Sequence, residues 1–412
     1  MALLVQKYGG SSIADVDRIR KAAERIARMH RAGHRLVVVV SAMGDTTDRL
    51  IRMAREIDPD PDERELDMLL ATGEQVSIAL LAMALHAIGV DAVSMTGFQA
   101  GIVTDTVHTK AKIQGIHPER VRDALDEGKV VIVAGFQGMT PTADISTLGR
   151  GGSDTTAVAL AAVLKADRCQ IYTDVDGVYT ADPRLVPEAR KVPEMAFDEM
   201  LELASLGARV LQSRAVEFAK KYGVELEVLS SFEGVPGTIV KEEVKEMENV
   251  VVRGVAADTA QAKVTIAAVP DRPGVAATLF GMLHGENVNV DMIVQNVSER
   301  GYTDISFTVP EEDLARCKRV LGRIVGEVGA RGFSVDEEVA KVSVVGVGMR
   351  SHSGVAYRMF KALADNNINI EMISTSEIKI SVVIRRKDAA LAARVLHAAF
   401  GLDAQPVGGG RT

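Results

Sequence analysis

Three polar, glycine-rich segments carry the residue types that could handle a phosphate. The first is Lys7-Tyr8-Gly9-Gly10-Ser11-Ser12, directly behind the apolar run Leu3-Leu4-Val5. Adjacent glycines let backbone N–H groups approach an anion, and a lysine adds a point charge. Taken alone, the segment reads equally as a tight turn ending a strand. The second is Gly149-Arg150-Gly151-Gly152-Ser153-Asp154-Thr155-Thr156, which runs into a helical stretch. A helix N-terminus offers free N–H groups and the positive end of a dipole, which suits phosphate. Asp154 could instead be an N-cap. Arg150 beside glycines suits a bidentate grip on a carboxylate. The third runs from Thr173-Asp174-Val175-Asp176-Gly177 to Tyr179-Thr180-Ala181-Asp182-Pro183-Arg184. Its polar groups could line a nucleotide pocket, and Asp176-Gly177 also reads simply as a turn. A further segment, Thr72-Gly73-Glu74, sets a carboxylate beside a glycine where a surface helix would start. No Gly-x-x-x-x-Gly-Lys-Ser/Thr loop occurs. Phosphoryl transfer asks a protein for positioning and charge neutralisation more than for covalent help. One lysine, several loop amides, a carboxylate and Mg²⁺ meet that need, so the set points to a nucleotide-dependent phosphotransferase.

These loops need a frame that brings them together. Leu3–Gln6, Leu36–Val40, Lys129–Ala134, Gln170–Thr173 and Leu226–Leu229 read as strands, several as continuous β-branched runs covered on both faces. Between them Asp15–His30, Leu66–Ile88, Thr155–Leu164 and Leu201–Tyr222 read as helices. The alternation predicts an α/β three-layer domain over 1–245, with a mostly parallel central sheet between helices. In such a sheet the loops at the carboxyl ends of the strands converge on one ligand-binding edge.

Beyond the charge run Lys241–Glu246 the chain repeats itself. Asp271-Arg272-Pro273-Gly274-Val275-Ala276 returns as His352-Ser353-Gly354-Val355-Ala356. At the same offset Phe280, Leu283 and Asn287-Val288-Asn289-Val290-Asp291-Met292 return as Phe360, Leu363 and Asn367-Ile368-Asn369-Ile370-Glu371-Met372. Strands Lys263–Ile266 and Lys341–Val344 precede the turns. The expected layout is a linker and edge strand over 246–262, then two ferredoxin-like βαββαβ units over 263–337 and 338–407.

The bulk numbers narrow the classes. A chain of 412 residues exceeds one ordinary core. A net charge of -8, 4% aromatics and no Trp argue against a nucleic-acid partner. The two distant cysteines, Cys169 and Cys317, suggest neither a disulfide framework nor a zinc site. With no signal-like N-terminus and no long uninterrupted apolar run, a reducing cytoplasm is the expected setting.

Lys7 to Ser12, Val39-Val40-Ser41-Ala42-Met43-Gly44, Thr72-Gly73-Glu74, Gly149 to Thr155 and Tyr172 to Arg184 resemble, in order, the motifs of aspartate kinases in the amino-acid kinase superfamily. The paired repeat resembles their tandem ACT domains. The resemblance covers nearly the whole chain. It implies ATP with Mg²⁺ as phosphoryl donor and L-aspartate as acceptor, with no dedicated protein metal site. Lys7 would stabilise the transferred phosphoryl group, with Tyr8 and the amides of Gly9 and Gly10 at the nucleotide, and Asp154 would orient that lysine. Glu74 would hold the aspartate ammonium and Arg150 its α-carboxylate, with Gly151, Gly152, Ser153, Ser41 and Thr47 nearby. Thr173, Asp174, Tyr179, Asp182 and Arg184 would surround the nucleotide. Arg209 stands where a nucleotide-contacting Lys is common. His352-Ser353-Gly354 departs from the frequent His-Pro-Gly and lacks the acid that opens the first repeat, so the two units should not bind one ligand equally.

The repeats suit a small polar amino acid as effector, threonine first and lysine next. In the first repeat the candidates are Asp271, Gly274, Val275, Ala276, Asn289, Asp291 and Gln295. Gly274 lets amides at a helix start face a carboxylate. Asp271 and Asp291 can take an ammonium, while Asn289 and Gln295 can read a hydroxyl. The counterparts are Asn369, Glu371, Ser374 and Thr375. The resemblance also implies a homo-oligomer or association with a regulatory subunit started near Met247. The alternatives are a kinase acting on glutamate or acetylglutamate, and a catalytically silent sensor. The sensor reading needs degraded catalytic positions, yet Lys7, Glu74, Arg150 and Asp154 all stand.

Overall fold

The computed structural model describes residues 1–205, 210–244, 251–296, 301–350, 352 and 354–404. Two compact units emerge. The first holds 1–178, 191–204 and 209–245, and the second holds 179–190, 205–208 and 246–412.

In the first unit an eight-stranded sheet runs in the order Glu194–Ala196, Thr238–Lys241, Leu226–Ser230, Arg168–Thr173, Leu3–Tyr8, Arg35–Val40, Val130–Ala134, Ala92–Met95. Every pairing is parallel except Leu226–Ser230 with Thr238–Lys241. Central strands are buried throughout, Val37 to Val40 and Val130 to Ala134 at 0% exposure, as parallel strands covered on both faces must be. Helix Val16–Arg31 starts where Asp15 caps the Arg18 N–H. It lays Ile19, Ala22, Ala23 and Ile26 on a core shared with Leu4, Tyr8, Leu36 and Val38. Helices Glu63–Leu70 and Thr72–Ala87 follow one another. Together they are long and apolar enough to cross a membrane, yet Ile78, Leu81 and Leu85 are spent on that same core.

Three expectations need correction. The helix read over Leu201–Tyr222 divides into Phe197–Ser205 and Ser213–Tyr222. The second starts after Gln212, whose extended backbone (φ -80, ψ 132) cannot continue a helix. A small sheet, ordered Ile113–Ile116, Ile102–Thr104, Gln137–Met139, Ile145–Thr147, stands outside the expected alternation. Its strands are too short to show a period. The charge run ends the last strand of the large sheet at Lys241, and its remainder from Lys245 to Val250 lies outside the described residues.

In the second unit six strands form one sheet: Ile293–Gln295, Tyr302–Pro310, Gly254–Pro270, Gly332–Val345, Lys379–Arg385, Met372–Thr375. Two strands are long and serve both repeats. Gly254–Asp258 pairs with Lys341–Val345 in the second repeat, while Lys263–Ala267 pairs with Gly332–Asp336 in the first. The second repeat therefore takes its edge strand from chain that precedes the first repeat. Phe280, Leu283 and Phe307 fill the first core, and Met359, Leu363 and Leu396 the second. The second core also contains Ala181 and Val186. Segment 179–190 is held there by Thr180, whose Oγ1 lies 2.9 Å from His397 Nε2, and by Arg190, whose Nε donates to the Leu402 carbonyl at 2.8 Å.

Candidate active site

Strand alternation sends Lys7 and Tyr8 to opposite faces of the central strand. Lys7 Nζ sits 2.6 Å from Asp154 Oδ1, both side chains nearly buried. Asp154 is the third residue of helix Gly152–Leu164, so its backbone lies in the turn whose N–H groups have no helical partner. Gly9 lies directly beside the ammonium: a Cβ on Gly9 would come 3.4 Å from Lys7 Nζ. A Cβ on Gly10 would come 2.8 Å from the Ala42 carbonyl, so only glycine lets these two loops touch. Gly44 N–H then donates to the Gly10 carbonyl at 3.1 Å, and Ser41 N–H to the Tyr8 carbonyl at 3.1 Å.

Tyr8 behaves differently from the expectation. Its ring is fully buried and stacks on Tyr172, centroids 4.6 Å apart and planes 4° from parallel. Its hydroxyl lies 3.3 Å from Gln6 Oε1, and burial raises its pKa well above the ordinary value. The phenol is a core group, and only the backbone of Tyr8 faces the loop edge.

Glu74 corrects the surface-helix reading. It is 2% exposed, and Oε1 accepts the Ala42 N–H at 3.0 Å while Oε2 has no partner among the described residues. Burial pushes its pKa to about 7. Gly73 makes this possible, since a Cβ there would meet the Ala42 side chain at 2.8 Å. The Ala42 backbone is thus shared by the Gly10 loop and by Glu74. Thr47 lies in the first turn of helix Thr46–Ile57, which follows the Ser41–Gly44 loop.

The Gly149–Asp154 loop approaches from the neighbouring strand ends. Gly149 and Gly151 take φ of +75° and +72°, which side chains other than glycine rarely adopt. Gly152 packs against Leu148 and Phe136, where a Cβ would come 2.9 Å from the Leu148 side chain. Ser153 is buried and Arg150 is exposed. Thr173 and Asp174 follow the adjacent strand, with Thr173 Oγ1 donating to Asp174 Oδ1 at 3.1 Å.

The third segment divides. Tyr179, Asp182 and Arg184 belong to the second unit, and Arg184 chelates Asp182 through Nη2 at 2.7 Å and Nε at 3.0 and 3.1 Å. That bonding lowers the Asp182 pKa. Arg209 lies outside the described residues.

In the second unit Gly274 (φ +93°) and Gly354 (φ +95°) precede helices Val275–Gly285 and Val355–Asp365. Asp271, Ala276, Asn289 and Gln295 are exposed around the first, and Val275 is buried. Asn369 and Thr375 are exposed and Ser374 half-buried around the second. Asp291 and Glu371 are not free carboxylates. Asp291 is ion-paired with Lys341 and Glu371 with Lys263, each acid meeting the lysine of the other repeat. The sequence held the signal, because both lysines and both acids recur at equivalent places.

A strand-end lysine paired with an acid at a helix N-terminus, in a chain that also carries a doubled ferredoxin-like unit, defines a small-molecule kinase. The profile of the amino acid kinase family matches residues 2–230, and that of the ACT domain matches 264–323 and 342–400. The aspartate kinase of Stutzerimonas stutzeri is 56% identical over 98% of each chain. Escherichia coli aspartokinase III in complex with aspartate and ADP superposes with a TM-score of 0.82 at 26% identity, over 96% of this chain and 99% of that one. The same enzyme in complex with lysine and aspartate gives a TM-score of 0.76 at 26% identity, over 97% and 99%. The chain belongs to the aspartate kinase family.

Proposed function

We propose that the enzyme transfers the γ-phosphate of ATP to the β-carboxylate of L-aspartate, giving 4-phospho-L-aspartate, the first step toward lysine, threonine and methionine. The observation that carries this reading is the pairing of Lys7 with Asp154 at 2.6 Å beside the Gly9 loop. An oxygen of the β-carboxylate, ionised at neutral pH, attacks the γ-phosphorus, and the bond to the ADP oxygen breaks. No proton moves, so no general base is required. Lys7 and the loop amides meet the charge that develops on the transferred group, and Asp154 fixes the lysine. Mg²⁺, when bound, would supply neutralisation of the phosphate charge. Asp154, which also pairs with Lys7, and exposed Asp174 are the carboxylates that would hold it.

The unpartnered Oε2 of Glu74 suits the aspartate ammonium, and the exposed guanidinium of Arg150 suits the α-carboxylate. Ser41, Thr47 and Gly151–Ser153 complete the proposed substrate site. Thr173 and Asp174, on the first unit, serve the nucleotide. On this reading the first unit, 1–178 with 191–204 and 209–245, is catalytic, and the two repeats sense threonine or lysine and inhibit. The lysine complex of the E. coli relative supports effector binding. A fragment starting near Met247, which itself lies outside the described residues, would contain all six strands of the second sheet and could serve as a regulatory subunit. The buried, unpaired cysteines fit a cytoplasmic enzyme.

The test is ATP turnover with L-aspartate, glutamate and acetylglutamate, trapping the acyl phosphate with hydroxylamine, with and without threonine and lysine. Hydroxamate formed from aspartate alone supports the reading. Hydroxamate from another acid reassigns the substrate, and none from any acid overturns the kinase reading in favour of a silent sensor.

A further inference from the structure

Among the described residues, Asp67 is the most deeply buried carboxylate outside the site just described. It lies on helix Glu63–Leu70 at 0% exposure. A buried carboxylate is tolerated only when donors surround it, and here they do. Both oxygens accept the Thr109 N–H, at 3.1 and 3.0 Å. His108 Nδ1 lies 2.8 Å from Oδ2 and, facing a carboxylate, is the protonated nitrogen. The Thr147 hydroxyl donates to Oδ1. Three of these contacts go to the loop before Lys110, and one goes to the strand Ile145–Thr147.

That strand leads within three residues to Arg150. Thr147 also accepts the Ala111 N–H at 2.9 Å. Leu148, next along, gives its carbonyl to Arg214 Nη1 at 3.0 Å, while Arg214 Nη2 reaches the Ala111 carbonyl at 3.0 Å. Gly149 packs so closely on the Thr109 carbonyl that a Cβ would sit 3.1 Å from it. Each of the three residues ahead of Arg150 is thus fixed, by Asp67, by Arg214, or by a backbone that Asp67 holds. Arg150 itself is exposed and has no ion pair among the described residues, so its position comes from its backbone.

We propose that Asp67 and Arg214 are positioning residues that hold the Arg150 loop in the geometry that grips the substrate. This rests on the reading of Arg150 as a substrate ligand. Neither residue touches the reacting groups. A misplaced guanidinium fork weakens binding without altering the Lys7 chemistry, so the effect belongs in KM rather than in kcat.

The experiment measures kcat, both KM values and thermal melting for Asp67→Ala, Asp67→Asn, Arg214→Ala, Arg150→Lys and the Asp67→Ala/Arg150→Lys pair, with aspartate and ATP. Asp67→Ala and Arg214→Ala should raise KM for aspartate about tenfold or more, leaving KM for ATP within about twofold. Asp67→Asn, which keeps acceptor oxygen for Thr109 but loses the charge facing His108, should fall between. The double variant should be less than additive, as expected for residues acting through one element. If Arg150→Lys moves KM for ATP instead, the Arg150 reading fails. The positioning proposal then stands only if the Asp67 and Arg214 variants move that same constant. Variants that melt earlier while leaving both KM values unchanged overturn it, and Asp67→Asn decides should Asp67→Ala not fold.

Discussion

Lys341, on the first strand of the second repeat, forms an ion pair with Asp291, which lies just ahead of an edge strand of the first. Lys263 of the first repeat returns the contact to Glu371 of the second. Lys341 is 3% exposed and Asp291 39%. Removing the acid therefore strands a buried ammonium, whereas removing the lysine leaves an acid that water can reach. Asp291→Ala should cost about 1–3 kcal/mol, less than for a wholly buried pair because Asp291 is partly solvated. Lys341→Met should cost less, and thermal melts of the two variants give the order. An effector ammonium at Asp291 has to share this carboxylate with Lys341.

Lys7→Ala should lower kcat about a hundredfold or more, with KM for ATP changing far less. Steady-state kinetics with hydroxylamine trapping checks this. Near-normal turnover would remove Lys7 from the chemistry.

Glu74 titrates near 7 because burial disfavours its ionised form. Binding an ammonium needs the carboxylate ionised, so kcat/KM for aspartate should fall as pH drops below about 7 and level off above it. The stability sign is opposite. Between the ordinary value of 4.5 and about 7 the folded state holds a proton that the unfolded chain releases, so Glu74 lowers stability as pH rises through that window. Glu74→Gln should therefore melt higher than the wild type at pH 8, with little gap below pH 4, while KM for aspartate rises strongly. A melting curve with the same pH slope in both proteins would contradict this.

Feedback should separate from catalysis. Asp271→Ala or Gln295→Ala should relieve inhibition by threonine or lysine while leaving uninhibited turnover nearly intact. The coupling at stake is about 1–3 kcal/mol. Activity indifferent to millimolar threonine and lysine, alone and together, would end the regulatory reading and leave the kinase reading standing.

The fold was legible where residues repeat a pattern. The β-branched runs read over Leu36–Val40 and Lys129–Ala134 are buried parallel strands, and the doubled Gly, Phe, Leu and Asn positions announced two similar units. The segments bearing Lys7 and Asp154 were visible from residue type, the first behind an apolar strand run and the second ahead of a helix. What was hidden depended on tertiary neighbours. Asp67 reads as one more acid in a polar helix start until Thr109 and Thr147 close around it. Glu74 reads as a surface residue until Ala42 covers it, and Tyr8 as a loop residue until Tyr172 stacks on it. Segment 179–190 reads as more nucleotide loop, because nothing local shows that Ala181 and Val186 are apolar for a distant core.

The shared strands of the second sheet set an order in time. Gly254–Asp258 leaves the ribosome before any of the first repeat, yet its partner Lys341–Val345 is made only after that repeat is complete. The early segment must wait unpaired, or find temporary cover, while the first core assembles around Lys263–Ala267. A duplication that copied only the stretch from one lysine strand to the next would yield a unit lacking its edge. Gene fusions and truncations in this region therefore succeed or fail as a whole, with the cut required to fall ahead of Gly254.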